Sequence, residues 1–360
     1  MKLPPQANQI EVTVFGPGYG ECIVVHIADG RWIVIDSCKG KQGTQPVALK
    51  YFEQIGVNPA EQVELIIITH WHDDHIRGAA ELVDSCPSAG LCFSEAFTKN
   101  EFVKFLSTYS TTRMSTHGTG VDEFTTILEN VNNPARKIYR GGQDKRVLNL
   151  PGSDLSHNLS CEVWTLSPSG FQVTESEARF SSLISGVKGT MRRAAPGGEN
   201  NHSVAAWIKI GDENIVLGAD LETTKDSRAG WDSVFNSRNR PNGTVSLFKV
   251  PHHGSETGHH AELWARVLRK DVNAIVTPWN KNQGLPKMED LDRLQDQTNN
   301  LYLTSKPSAL PRARHDHDVE RMMRQFGILT KRHPNSIGAV TARYVPCEDG
   351  EWEIRTWALN

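Results

Sequence analysis

Apolar positions recur along this chain with two different periods, and each period predicts a different element. Glu11-Val12-Thr13-Val14-Phe15 alternates, as a strand with one covered face does. The runs 22–27 and 31–36 are denser in Val and Ile, and Gly-rich turns at 16–20 and 29–30 separate them. Together they predict a meander of two or three strands joined by hairpins. From Val47 to Ile55 the apolar residues fall at helical spacing, and Gly56 is a natural stop. Val63 to Thr69 is a β-branched run of the kind expected for a strand buried on both faces. Helical patterning resumes over 76–84. A mostly helical excursion is expected at 95–147, with Phe102, Phe105, Leu106 and Tyr109 on one stripe.

The second half repeats the logic of the first. Residues 151–200 are polar and expected as loop, broken by one strand at 161–166 and ending in Pro196-Gly197-Gly198. Strands are predicted at 202–210, at 214–217 with Asp220 just beyond, and at 244–250 before Pro251-His252-His253-Gly254-Ser255. A helix at 261–269, a short strand at 274–277, helices at 288–297 and 318–326 and a late strand at 337–344 complete the pattern. Strand, turn, strand, polar cluster, helix, occurring twice, predicts two similar α/β halves with their loops facing one edge.

Composition narrows the class. With 38 % apolar and 22 % charged residues the chain is globular rather than disordered. A net charge of −3 gives no global basic field to recruit nucleic acid or anionic membrane, so any polyanion contact must be local. No stretch of 18 apolar residues exists, and the first five residues hold no apolar run, which predicts neither a spanning helix nor a signal peptide. Cys22, Cys38, Cys86, Cys92, Cys161 and Cys347 are scattered without a C-x-x-C pair, as in a reduced cytoplasmic protein.

Histidines change the picture most, by their placement. His70, His72, Asp74 and His75 lie within six residues at the end of an apolar strand. Residues two apart in an extended segment point the same way, so His70 and His72 can grip one ion while the following turn throws Asp74 and His75 toward a second. Imidazole and carboxylate are donors that zinc, manganese and iron accept. The second half offers further donors at strand ends: His202, Asp220, and the pair His252–His253. Each alone is weak, but their joint position after separate strands matches a two-metal site. Asp36 and Asp73 are candidates to fix a histidine tautomer through its free N–H.

His70-x-His72-x-Asp74-His75 resembles the signature of the metallo-β-lactamase superfamily. Phe15-Gly16-Pro17-Gly18-Tyr19-Gly20-Glu21-Cys22 with Ile33-Val34-Ile35-Asp36 is similar to its opening hairpins. Asn200-Asn201-His202-Ser203, Leu217-Gly218-Ala219-Asp220 and Lys249-Val250-Pro251-His252-His253-Gly254-Ser255 look like its later motifs. The variant set is most similar to the hydrolase domain of the competence protein ComEC, and also to phosphorylcholine esterases. The resemblance covers roughly 9–278 and 337–344. It departs from many ComEC domains at His202, where they carry asparagine.

What the resemblance implies is one domain over 1–360 with a four-layer αββα sandwich, a helical insertion at 95–147 and a C-terminal helical elaboration at 280–335. Two divalent cations, zinc or manganese, would sit at one edge between the sheets. His70, His72 and His202 would hold the first, Asp74 and His75 the second, and Asp220 both. Either His252 or His253 can complete the set. The reading favours His253 as ligand and His252 as a catalytic contact to an oxyanion or leaving group, with Asp74 also orienting the attacking water. Two adjacent cations lower the pKa of a shared water and stabilise the charge that develops on attack.

The implied activity is that of a metal-dependent phosphodiesterase or nuclease. The basic segment Lys188-Gly189-Thr190-Met191-Arg192-Arg193 supports it, since Lys188, Arg192 and Arg193 can track a phosphate backbone. Arg238 with Arg240 and Arg312 with Arg314 are further local basic pairs. Hydrolysis of a small ester, lactone, lactam or phosphorylcholine group is the alternative, kept open by the acidic balance. A binding protein on a decayed scaffold is disfavoured by the complete ligand set.

Overall fold

In the computed structural model the described residues are 3–40, 45–111, 119–130, 135–155, 158–185, 199–282, 284–310, 337–346 and 350–359, and they build two mixed sheets. The first holds β1 (Ile10–Phe15), β2 (Cys22–Ala28), β3 (Arg31–Ile35), β4 (Val63–Ile68), β5 (Gly90–Ser94) and β6 (Ile138–Gly141). The second holds β7 (Lys145–Leu150), β8 (Cys161–Thr165), β9 (Ala206–Ile210), β10 (Glu213–Leu217), β11 (Val245–Lys249), β12 (Leu268–Val276) and β13 (Leu301–Leu303). β14 (Ile337–Tyr344) and β15 (Glu353–Leu359) return to the first sheet, where β14 pairs with β1.

Period-2 alternation divides the interior into three apolar layers. Val12, Val14, Ile23, Val25, Ile33, Ile35, Leu65 and Ile67 face the second sheet and pack with Val163, Ile208, Ile215, Leu217, Leu247 and Ile275. Their neighbours Phe15, Val24, Trp32, Val34 and Ile66 point the other way, under the helices Val47–Ile55 and Ala79–Ser85. Trp207, Val216 and Phe248 do the same on the second sheet, under Gly230–Asn236, Ala261–Arg266 and Met288–Gln297. Helix, sheet, sheet, helix is the four-layer sandwich expected.

Both sheets change character halfway across. β1 to β3 run antiparallel while β3 to β6 run parallel. In the second sheet β7 to β10 are antiparallel and β10 to β13 parallel. The carboxyl ends of β3, β4, β10, β11 and β12 lead into Asp36, His70, Asp220, His253 and Thr277. Chemistry gathers at the carboxyl ends of parallel strands because their outgoing loops converge there.

Four expectations need correction. The stretch 95–147 holds the helices Asn100–Thr111 and Thr119–Asn130, but its last part is β6 and the start of β7, the passage from one sheet to the other. Phe102 and Leu106 of the stripe are buried, and the side chains of Phe105 and Tyr109 lie outside the described residues. The supposed loop 151–200 contains a 16-residue helix, Gly170–Ser185. Its buried stripe is Gln172, Val173, Ser176 and Phe180, too polar to register as an apolar period. Its start carries a capping box: Gln172 N–H donates to Ser169 Oγ and Ser169 N–H to Gln172 Oε1, each at 3.2 Å. In the stretch 280–335, the helix Met288–Gln297 is followed by a strand, β13, and the expected helix at 318–326 lies outside the described residues. The strand expected from His202 begins only at Ala206, because Val204 N–H first reaches across to Thr69 O on the first sheet at 3.1 Å.

Candidate metal centre

β4 ends at Ile68, and Thr69 locks the strand end to its neighbour. Its N–H donates to Asp36 Oδ1 at 2.8 Å and its hydroxyl to Asp36 Oδ2 at 2.7 Å. Asp36 stands just after β3 with φ 59, a left-handed turn that aims its carboxylate across the strand ends. The same Oδ2 lies 2.7 Å from His75 Nδ1, so Asp36 fixes the tautomer and leaves His75 Nε2 pointing into the site. Asp36 is thus brought against the Nδ1 of a cluster histidine. Asp73 is not: it is exposed, and its Oδ1 accepts from Gly120 N–H at the start of the helix Thr119–Asn130, where the dipole favours a carboxylate.

Three groups of donors converge within 4.8 Å: Asp74, His75, Asp220 and His253; beside them His70, His72 and Asp220; and behind them Glu21, Asp36 and His75. In the second group His70 Nε2 lies 3.1 Å from His72 Nδ1 and 3.7 Å from Asp220 Oδ2. In the first, His253 Nε2 is 3.0 Å from Asp74 Oδ2 and 3.7 Å from Asp220 Oδ2. Asp220 Oδ1 faces His75 Nε2 at 3.3 Å, and both atoms are buried without a hydrogen-bond partner. A nitrogen lone pair and a carboxylate oxygen so placed fit a shared cation, the bond that neither makes within the protein. The donor set of imidazoles and carboxylates suits zinc or manganese alike.

The charges make the same demand. Burial, and then the neighbouring His75 and His72, hold His70 well below the usual imidazole range. Burial acts to lower His75 too, yet Asp220, Asp74 and Asp36 outweigh it and raise it well above that range. Burial acts to raise Asp74 and Asp220, but His75 and His253 pull both below the usual carboxylate range. The carboxylates therefore require positive charge among them, as protons on His75 and His253 or as cations.

The histidine pair splits. His253, left-handed at φ 54, donates from Nδ1 to Thr277 O at 2.8 Å and turns Nε2 into the cluster. His252 lies outside it. Its Nδ1 sits 2.8 Å from Thr257 Oγ1, 2.9 Å from Ser255 Oγ and 2.8 Å from Glu222 Oε1, and its Nε2 is 3.4 Å from Asn200 Nδ2. His202 is buried and belongs to none of these groups: its Nδ1 pairs with Ser176 Oγ at 2.8 Å and its ring stacks on Phe180. Any metal bond from His202 falls to Nε2. Ser176 was missed from the sequence because its helix was missed, and the spacing Ser169-x-x-Gln172 was the available signal. Glu222, likewise missed, has no signature beyond its place two residues after Asp220.

Trp71, between the histidines, packs against Phe97, Phe102 and Phe180. Lys188, Arg192 and Arg193 lie outside the described residues, as do Arg312 and Arg314. Arg240 is turned over the Phe235 ring and donates to Pro241 O. The five described cysteines are buried free thiols, and among the described residues no helix is long and apolar enough to cross a membrane.

Residues 15–98 match the family model described as Metallo-beta-lactamase superfamily. No curated protein matches the chain. Among solved structures the chain is similar to the metallo-beta-lactamase fold protein YhfI from Bacillus subtilis, at 13 % identity over 83 % of this chain and 98 % of that one, with a TM-score of 0.42. It is also similar to zinc-bound PqqB from Methylobacterium extorquens, at 12 % identity over 80 % and 86 %, TM-score 0.37. The subclass B3 metallo-beta-lactamase MEM-A1 from a soil metagenome library follows at 13 % over 73 % and 86 %, TM-score 0.34.

Proposed function

We propose that this chain, whose residues 15–98 carry a metallo-β-lactamase superfamily domain, is a two-metal hydrolase that cleaves phosphodiesters, with nucleic acid as the substrate class. The observation that carries the two-metal reading is Asp220, whose carboxylate joins the group of His253 to the group of His70 and His72. His70 and His72, joined by His202 Nε2, would hold one ion, and Asp74, His75 and His253 the other. When bound, the pair supplies Lewis acidity and activates a water at neutral pH.

The chain's own residues do the rest. Asp74 is the most exposed carboxylate of the cluster, so it meets an incoming substrate and orients the water. Asp36 holds His75 in one tautomer, and Ser176 holds His202. His252 is anchored at Nδ1 by Glu222, Thr257 and Ser255, and offers its Nε2 edge beside Asn200 to a leaving-group oxygen. The choice of phosphodiesters is supported by the motif variants and by Lys188, Arg192 and Arg193 on the segment that leads to His202. Burial of five free thiols supports a reducing compartment such as the cytoplasm.

The test is metal content together with hydrolysis of bis(p-nitrophenyl) phosphate, single-stranded and duplex DNA, RNA and p-nitrophenyl acetate, with zinc or manganese. The His72→Ala, Asp220→Ala double variant is the control. Metal-dependent phosphodiester cleavage by the native chain alone is expected. Two bound ions with turnover of the carboxylic ester only would replace the nuclease reading by small-ester hydrolysis.

A further inference from the structure

Behind the cluster lies an ion pair sealed from solvent. Glu21 sits in the connection from β1 to β2 on the first sheet, and Lys249 ends β11 on the second. Glu21 is 1 % exposed and Lys249 0 %, and Lys249 Nζ lies 2.5 Å from Glu21 Oε2. Burying two charges costs several kcal/mol per ion in desolvation, so such a pair is poor evidence of stabilisation. What it touches is more telling.

Glu21 N–H donates to the backbone oxygen of Asp74 at 2.8 Å. Its carboxylate accepts from Thr277 Oγ1 at 2.5 Å, and the carbonyl of the same Thr277 accepts from His253 Nδ1 at 2.8 Å. Lys249 Nζ donates to Ala219 O at 3.2 Å, one residue before Asp220, where the chain turns left-handed at φ 45. Glu21 also lies within 4.8 Å of the Asp36–His75 pair. One buried pair therefore reaches, through one intermediate at most, all four members of the group Asp74, His75, Asp220 and His253. Gly20 lets the loop come this close, since a Cβ there would stand 2.7 Å from Cys38 Cβ and 3.4 Å from Asp74 O.

We propose that Glu21 and Lys249 are positioning residues that clamp the two sheets together behind the site and set the ligand geometry of one of its two ions, the one held by Asp74, His75, Asp220 and His253. The inference rests on the two-metal reading. The pair is placed where neither partner meets substrate, and it acts by holding the backbone of one ligand, the hydrogen-bond acceptor of another and the turn that carries a third.

Cobalt(II) titration of the full chain, followed by its visible absorption and by stoichiometry, tests this. Lys249→Met alone leaves a buried carboxylate unpaired and can unfold the chain, so the decisive variant is Glu21→Gln with Lys249→Met, which removes both charges together. Its expected result is normal loading of one ion and about 10–100-fold weaker loading of the other, with altered cobalt bands, the size of effect that outer partners have on a metal. The control is Arg343→Met, which breaks the part-buried pair of Arg343 Nε with Glu11 Oε2 (2.7 Å) on the first sheet while Glu11 keeps Tyr51 and Thr13 as donors, and is expected to lower stability while both ions load normally. Two ions bound by the double variant with native affinity and bands overturn the proposal and leave the two-metal reading standing. Equal weakening by Arg343→Met overturns it as well, by reducing the effect to general stability. A native chain that takes fewer than two cobalt ions overturns the two-metal reading, and the proposal with it.

Discussion

The two halves of the site reach the same point by different routes. In the first, His70, His72, Asp74 and His75 come from one loop after β4, and a single strand end with its turn orients them all. In the second, Asp220 and His253 come from the ends of β10 and β11, and His202 from a 3₁₀ turn between the sheets. The first half is local in sequence, and its props come from the strand ends beside it: Asp36 behind His75, and Glu21 N–H on the backbone oxygen of Asp74. The second is assembled, and each donor depends on a separate prop: Ser203 Oγ under Asp220 N–H, Thr277 O behind His253, Ser176 behind His202.

The sharpest break of this contrast is at the donor that joins the group of His253 to that of His70 and His72. Asp220→Ala is expected to remove both ions and lower kcat/KM by on the order of 10³-fold or more, about 4 kcal/mol of barrier. By comparison, His72→Ala and His253→Ala should each leave one ion bound, the remaining ion differing between them. Metal analysis and difference absorption with cobalt check it, and equal loss of both ions from all three variants would remove the distinction between two groups.

A smaller effect separates the props. Asp36→Asn keeps the shape beside His75 but not the charge, and is expected to weaken metal binding about 10–100-fold. Ser176→Ala removes one hydrogen bond to His202, worth about 1 kcal/mol, and should cost about tenfold or less. Metal titration of the two variants orders them, and a larger loss from Ser176→Ala would mean that the assembled half dominates affinity.

A separate effect, on stability rather than on metal binding, concerns a histidine away from the site. His26, buried in β2, lies 2.7 Å by Nδ1 from Gln9 O and accepts from Gly30 N–H at Nε2, 3.0 Å away. Burial lowers its pKa to about 4, the opposite of His75 in the short helix Asp73–Ile76 after β4. A depressed folded value means that the unfolded chain binds the proton more tightly. His26 therefore contributes stability that is whole above pH 6.5 and is lost as pH falls from 6.5 through 4, by at most about 3 kcal/mol. Urea unfolding across that window, native against His26→Gln, is expected to show the native chain losing more. A parallel decline in both would assign the loss to other groups.

How much was legible follows from where the information sits. The strands β1 to β4 were readable because Val, Ile and polar residues alternate or cluster within a few positions. The site's first half was readable because its donors are neighbours. The helix Gly170–Ser185 was not, since its buried face is built of Gln172 and Ser176, whose burial is justified only by partners far away: Gly230 N–H for Gln172 Oε1 and His202 for Ser176. The strands β5, β6, β7, β13 and β15 also escaped, being short or half-polar runs that gain their order from the strand beside them.

The sequence by itself determined the alternating layers, the donor types and the contiguous cluster, all of which are matters of local spacing. Only the tertiary structure decided that His253 and not His252 enters the cluster, that Asp36 serves His75 while Asp73 caps a helix, and that Glu21 meets Lys249 between the sheets. Those outcomes depend on left-handed turns after strands and on contacts across the sandwich, where residues more than two hundred positions apart come within hydrogen-bond reach.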